Sequence, residues 1–143
     1  MTETDGRRWL KRLYEGDPAS IVQPIESHAT LGVPDVFLCS AGIDAWIELK
    51  VVLDSSVLRG RVTPHFRPKQ LEWLHDYAGA GGVALLLVFY EMEEDGCRIV
   101  NAFQGSNIRR EYDVKSFNAL SSMHCRMEDV TRGMMHDVLL HAR

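Results

Sequence analysis

Residues 32–50 read GVPDVFLCSAGIDAWIELK, two short apolar runs joined by small residues, with an acid opening the first run and a Glu-Leu-Lys inside the second. Pro34–Cys39 and Asp44–Leu53 are rich in Val, Ile, Phe and Trp, so they read as two strands of a hairpin with Ser40–Ile43 as its turn. Side chains alternate faces along a strand, which places Asp44, Trp46, Glu48 and Lys50 on one side and Ile47, Leu49 and Val51 on the other. With the turn centred on Ala41-Gly42, facing positions sum to 83, and Asp35 lies opposite Glu48. Directly opposed Cβ atoms are ~4.5–5.5 Å apart, a separation at which two carboxylates repel unless a cation lies between them.

Hard oxygen ligands of this kind suit Mg²⁺ or Mn²⁺, which bind through one or two carboxylates together with waters and phosphate oxygens. Such an ion would acidify a coordinated water and stabilise charge developing on phosphorus, and the Lys50 ammonium would reach the same place. A bland reading competes with this one. Pro-Asp often starts a strand, Glu and Lys on a wet sheet face are ordinary, and a single-residue bulge would undo the pairing.

Working outward, Trp9, Leu10, Leu13 and Tyr14 recur at helical spacing within Asp5–Glu15, and Gly16-Asp17-Pro18 stops that helix. Ser20–Ile25 is a β-like run that Pro24 confines to an edge. Beyond the hairpin, 54–64 reads as a polar loop. LEWLHDYAGAGG, from Leu71, reads as a second helix ending at Gly79. VALLLVFY (83–90) looks like a strand covered on both faces, Arg98–Phe103 like another strand, and 127–142 like a C-terminal helix. The order α, β, β, β, α, β, β predicts an α/β fold, a mixed sheet with helices packed on it.

The size, 143 residues, fits a single domain over 1–143, with 105–143 as a helical C-terminal extension. No apolar run is long enough for a membrane span and no secretory leader is apparent, so the expected location is cytoplasmic, the host cytoplasm if phage-encoded. Cys39, Cys97 and Cys125 are widely spaced and odd in number, which points to reduced thiols rather than a disulfide framework or zinc ribbon. The histidines, including His124, His136 and His141, fall into no zinc spacing. No P-loop, G-x-G-x-x-G or G-x-S-x-G is present. A net charge of −4 argues against indiscriminate coating of nucleic acid, although Arg59, Arg61, Arg67 and Lys69 form a local basic rim that could contact phosphates.

Pro34-Asp35 followed by Glu48-Leu49-Lys50 resembles the PD-(D/E)XK nuclease superfamily, and the nearest subgroup looks like the VRR-NUC and Holliday-junction-resolvase-like nucleases of phages and bacteria. Gly32 before the Pro-Asp, Trp46-Ile47 before the Glu-Leu-Lys, FRPKQLEWL and VALLLVFY fall in the order of that family, so the resemblance spans roughly Gln23 to Tyr90. It implies a restriction-endonuclease-like core with a four- to five-stranded mixed sheet. It implies Asp35 and Glu48 as metal ligands, the Leu49 backbone carbonyl as a third, and Lys50 as the catalytic lysine. Glu26 resembles an additional acid and ligand, with Glu15 as its rival, and Gln70 resembles a glutamine that orients groups in the site. His28 and His65 are candidates to enter the cleft. The activity implied is Mg²⁺- or Mn²⁺-dependent hydrolysis of DNA phosphodiesters, with branched DNA as a substrate class and a homodimer suited to it. The alternatives are a noncatalytic DNA-binding or assembly module of the same fold, and a protein-interaction domain using the Met-rich C-terminal helix.

Overall fold

The computed structural model describes residues 1–26 and 30–143. Its centre is β5 (Val83–Glu91), where every side chain from Val83 to Tyr90 is buried. Burying each large apolar side chain is worth about 1.5–3 kcal/mol, so this strand alone anchors two layers. Leu85, Leu87 and Phe89 pack into one core with Leu10, Ile47, Leu49, Met135 and Leu139, whereas Leu86, Val88 and Tyr90 pack into a second with Leu74, Phe103, Tyr112 and Phe117. A strand that reads apolar on both faces is thus sandwiched between helical layers.

Six strands form the main sheet in the order β1 (Ser20–Pro24), β2 (Val36–Ser40), β3 (Ile43–Val51), β5, β6 (Arg98–Gln104), β8 (Met123–Arg126). All neighbours are antiparallel except β3 and β5. The crossover between those two holds α2 (Asp54–Arg59), β4 (Arg61–Val62) and α3 (Gln70–Gly79). One face of the sheet carries α1 (Glu3–Leu13) and α5 (Arg132–His141), and the other carries α3 and α4 (Val114–Leu120). β7 (Tyr112–Asp113) pairs only with β4. No helix among the described residues is long and apolar enough to cross a membrane.

Three expectations change. The stretch 54–64, expected to be a polar loop, contains α2 and β4, the helix closed by Gly60 at φ 113°. The stretch 105–143, expected to be a helical extension, also supplies β7 and β8, so the main sheet has six strands rather than four or five. Helix α1 starts at Glu3 because Thr2 and Asp5 form a reciprocal cap: the Asp5 N–H donates to the Thr2 hydroxyl at 3.3 Å, and the Thr2 N–H donates to Asp5 Oδ2 at 2.8 Å. The cap brings Glu3 into the first helical turn. The indole N–H of Trp9 then latches α1 to the C-terminal region by donating to the Met127 carbonyl at 2.9 Å.

Candidate active site

The hairpin is built as its sequence reads. Ala41 (φ 49°) and Gly42 (φ 81°) both have positive φ, the type I′ geometry whose twist matches that of paired strands. Val36 therefore pairs with Ile47 and Ser40 with Ile43, a register that carried one residue further sets Asp35 opposite Glu48. There Asp35 Oδ2 accepts the Leu49 N–H at 3.1 Å. Leu49 itself turns its side chain into the core.

Glu48 is wholly buried, and Lys50 and Gln70 are nearly so. The Gln70 amide donates to Glu48 Oε1 at 2.9 Å, and its own oxygen accepts the Arg67 N–H at 2.7 Å, which fixes the orientation of the amide. Lys50 Nζ lies 3.4 Å from the same Glu48 oxygen, 3.8 Å from Glu3 Oε1, and 5.8 Å from the centroid of the Phe66 ring. Among the described residues, no group donates a hydrogen bond to Glu48 Oε2. Burial pushes the Glu48 carboxyl up to about 9; the negative charge of Asp35 adds to the shift and Lys50 opposes it. Desolvation outweighs the lysine because Glu48 is wholly buried and Lys50, 3.4 Å away, also lies 3.8 Å from Glu3.

Among the described residues no three His, Cys, Asp or Glu side chains converge to enclose a metal by themselves. The two facing carboxylates still suit a Mg²⁺-like ion, which needs only one or two protein carboxylates and keeps several waters. A buried carboxylate with a strongly raised pKa beside a second carboxylate is relieved by a proton or by a divalent cation that displaces it. The donor set fits the ion.

The remaining candidates spread out. Glu26 follows Ile25, whose N–H donates to the Asp35 carbonyl at 2.8 Å, so its exposed side chain sits at the rim and bonds to none of Asp35, Glu48 and Lys50. Glu15 lies two residues beyond the C-terminal end of α1, in a groove with Tyr14 and Ser20. The acid that α1 does bring to the site is Glu3, which went unnoticed in the sequence although Thr2-x-x-Asp5 marks the helix start. Arg61 is paired with Glu111 at 2.8 Å and Lys69 with Glu72 at 3.7 Å, while Arg59 and Arg67 are exposed and in no ion pair among the described residues. His65 is exposed, and His28 lies outside the described residues. The cysteines are free thiols.

Gly32 joins the two halves of the site. At φ 87° it packs against the start of α3 so closely that a methyl there would lie 2.5 Å from the Lys69 carbonyl oxygen. The segment leading to Asp35 is thereby seated on the helix that carries Gln70.

No sequence-family profile matches the chain, and no curated protein does. Among solved structures it is similar to Archaeoglobus fulgidus Hjc, a Holliday junction resolvase from an archaeal hyperthermophile. The TM-score is 0.56 at 13% sequence identity, over 82% of this chain and 93% of that one. The fold is resolvase-like. The restriction-endonuclease-like core expected from the motifs is present, widened to six strands by β8.

Proposed function

We propose that this chain is a metal-dependent DNA endonuclease of the PD-(D/E)XK type, acting on branched DNA such as a four-way junction. The observation that carries the proposal is Glu48, buried with one oxygen unpartnered between Asp35, Lys50 and the Gln70 amide. Its finer placement among VRR-NUC-like nucleases rests on motif order alone.

Asp35, Glu48 and the Leu49 carbonyl would hold the ion, with the rim carboxylate of Glu26 as an outer contributor. When bound, Mg²⁺ or Mn²⁺ supplies Lewis-acid stabilisation of the charge on phosphate oxygens. Gln70 occupies Glu48 Oε1 and so leaves Oε2 as the free ligand atom. The Leu49 N–H holds the Asp35 carboxylate in place from the neighbouring strand. The Lys50 ammonium would orient the attacking water and offset negative charge growing on the scissile phosphate. Glu3 Oε1, 3.8 Å from Nζ, would help position that ammonium. Arg59 and Arg67 are free to meet phosphates, whereas Arg61 and Lys69 would have to give up surface ion pairs, which are individually weak. A homodimer would present two such sites to the symmetric strands of a junction.

Labelled four-way junctions, flaps and linear duplexes, incubated with Mg²⁺, Mn²⁺ or chelator, test this reading. Junction cleavage should require metal and disappear in Glu48→Gln and Lys50→Ala. Cleavage that persists in chelator or in Glu48→Gln, or no cleavage of any DNA, would overturn it.

A further inference from the structure

The exposed face of α1 carries Arg8, Lys11 and Arg12, spaced so that all three project to one side of the helix. They line one groove with Tyr14, Glu15, Ser20 and Val22, between α1 and the edge strand β1. None of the three cations is in an ion pair among the described residues, and Glu15 is the only acid lining the groove. This differs from the basic rim near α3, where two of four cations are already neutralised. The helix also begins at the site, since Glu3 lies 3.8 Å from the Lys50 ammonium.

We propose that Arg8, Lys11 and Arg12 form a track for the DNA backbone, along which one arm of the substrate runs away from the scissile phosphate. This rests on the nuclease reading above and names a contact surface for it. At 1.5 Å rise per residue, Lys11 stands about 12 Å along the helix from Glu3. Over that distance a strand of duplex DNA carries roughly three to four phosphates, at 3.4 Å per step. The cations themselves run from Arg8 to Arg12, about 6 Å of helix and so roughly two phosphate steps, which their long side chains can bridge, with Ser20 and Val22 of β1 on the other side of the groove. On the side facing β1 only Glu15 stands beside these cations, while Arg8 and Arg12 also border Asp5 and Glu128 across the helix. The track supplies affinity and sets the exit direction of the arm, without reading sequence.

The experiment measures binding of a fluorescent four-way junction and a linear duplex across a salt series, in chelator so that nothing is cut. Arg8→Gln/Lys11→Gln/Arg12→Gln should weaken junction binding at least about tenfold and make the slope of log affinity against log salt shallower by about 2.7, that is, 0.9 per lost phosphate contact. Lys115→Gln, an exposed change on α4, serves as the control and should leave the slope alone. The single variants Arg8→Gln and Lys11→Gln, each expected to reduce the slope by about 0.9, keep the test decisive if the triple variant folds poorly. An unchanged slope in variants with native melting behaviour overturns the track while leaving metal-dependent cleavage standing. An unaltered chain that neither binds nor cuts DNA removes the nuclease reading and the track together.

Discussion

In the proposed site the most perturbed group is the Glu48 carboxyl. With its folded pKa near 9, against 4.5 for the free side chain, the metal-free protein holds a proton there that the unfolded chain has released. Stability of the metal-free protein from this group is therefore greatest below about 4.5 and is lost as pH rises from there through about 9. Binding of a divalent ion must expel that proton, so below about pH 9 metal affinity should climb with pH. Titration calorimetry with Mn²⁺ at pH 7, in buffers of different ionisation enthalpy, should show release of close to one proton. Glu48→Gln, which resembles the protonated acid, should show no proton release and no metal-induced rise in melting temperature. Proton release unchanged in Glu48→Gln would place the ion elsewhere.

At the level of elements, the site depends on two close fits, the type I′ turn of the β2–β3 hairpin and the seat of Gly32 on α3. Gly32→Ala combines a left-handed φ with a contact of 2.5 Å to a backbone oxygen, so it should cost about 1–3 kcal/mol and depress cleavage by separating Asp35 from Gln70. Gly16→Ala offers the comparison: φ is 77°, but nothing lies within 4 Å of the added carbon, so a cost of about 1 kcal/mol without loss of cleavage is expected. Denaturant midpoints and single-turnover rates separate the two. The hairpin could be read from sequence because its turn residues and period-two pattern agree, and the observed register places Asp35 as expected. Helix α2 could not be read, since six residues of LDSSVLRG are too few to show a 3.6-residue period. Strand β8 escaped for a similar reason: Met-His-Cys-Arg offers one buried side chain, and its pairing with β6 is decided by the sheet rather than by propensity. Glu3 escaped because the apolar spacing begins only at Trp9, well inside the helix, whereas its start is set by the Thr2 cap.

For the whole molecule, the last forty residues complete the core rather than decorate it. Met135, Val138 and Leu139 fill the layer beneath α1, and β8 covers the edge of β6. Removing residues 123–143 should therefore leave a chain that fails to melt cooperatively and exposes apolar surface to a dye such as ANS. Calorimetry showing a native-like transition in that truncation would refute the claim. The Trp9–Met127 hydrogen bond adds an ordering in time. Glu3, Asp35, Glu48, Lys50 and Gln70 all lie within the first seventy residues, and α1 packs on Ile47, Leu49 and Phe89 of the central strands, but its indole latch is supplied by Met127, made much later. A nascent chain released before Met127 would therefore hold its first helix on the sheet by apolar contacts alone, without the polar latch that fixes its axial position.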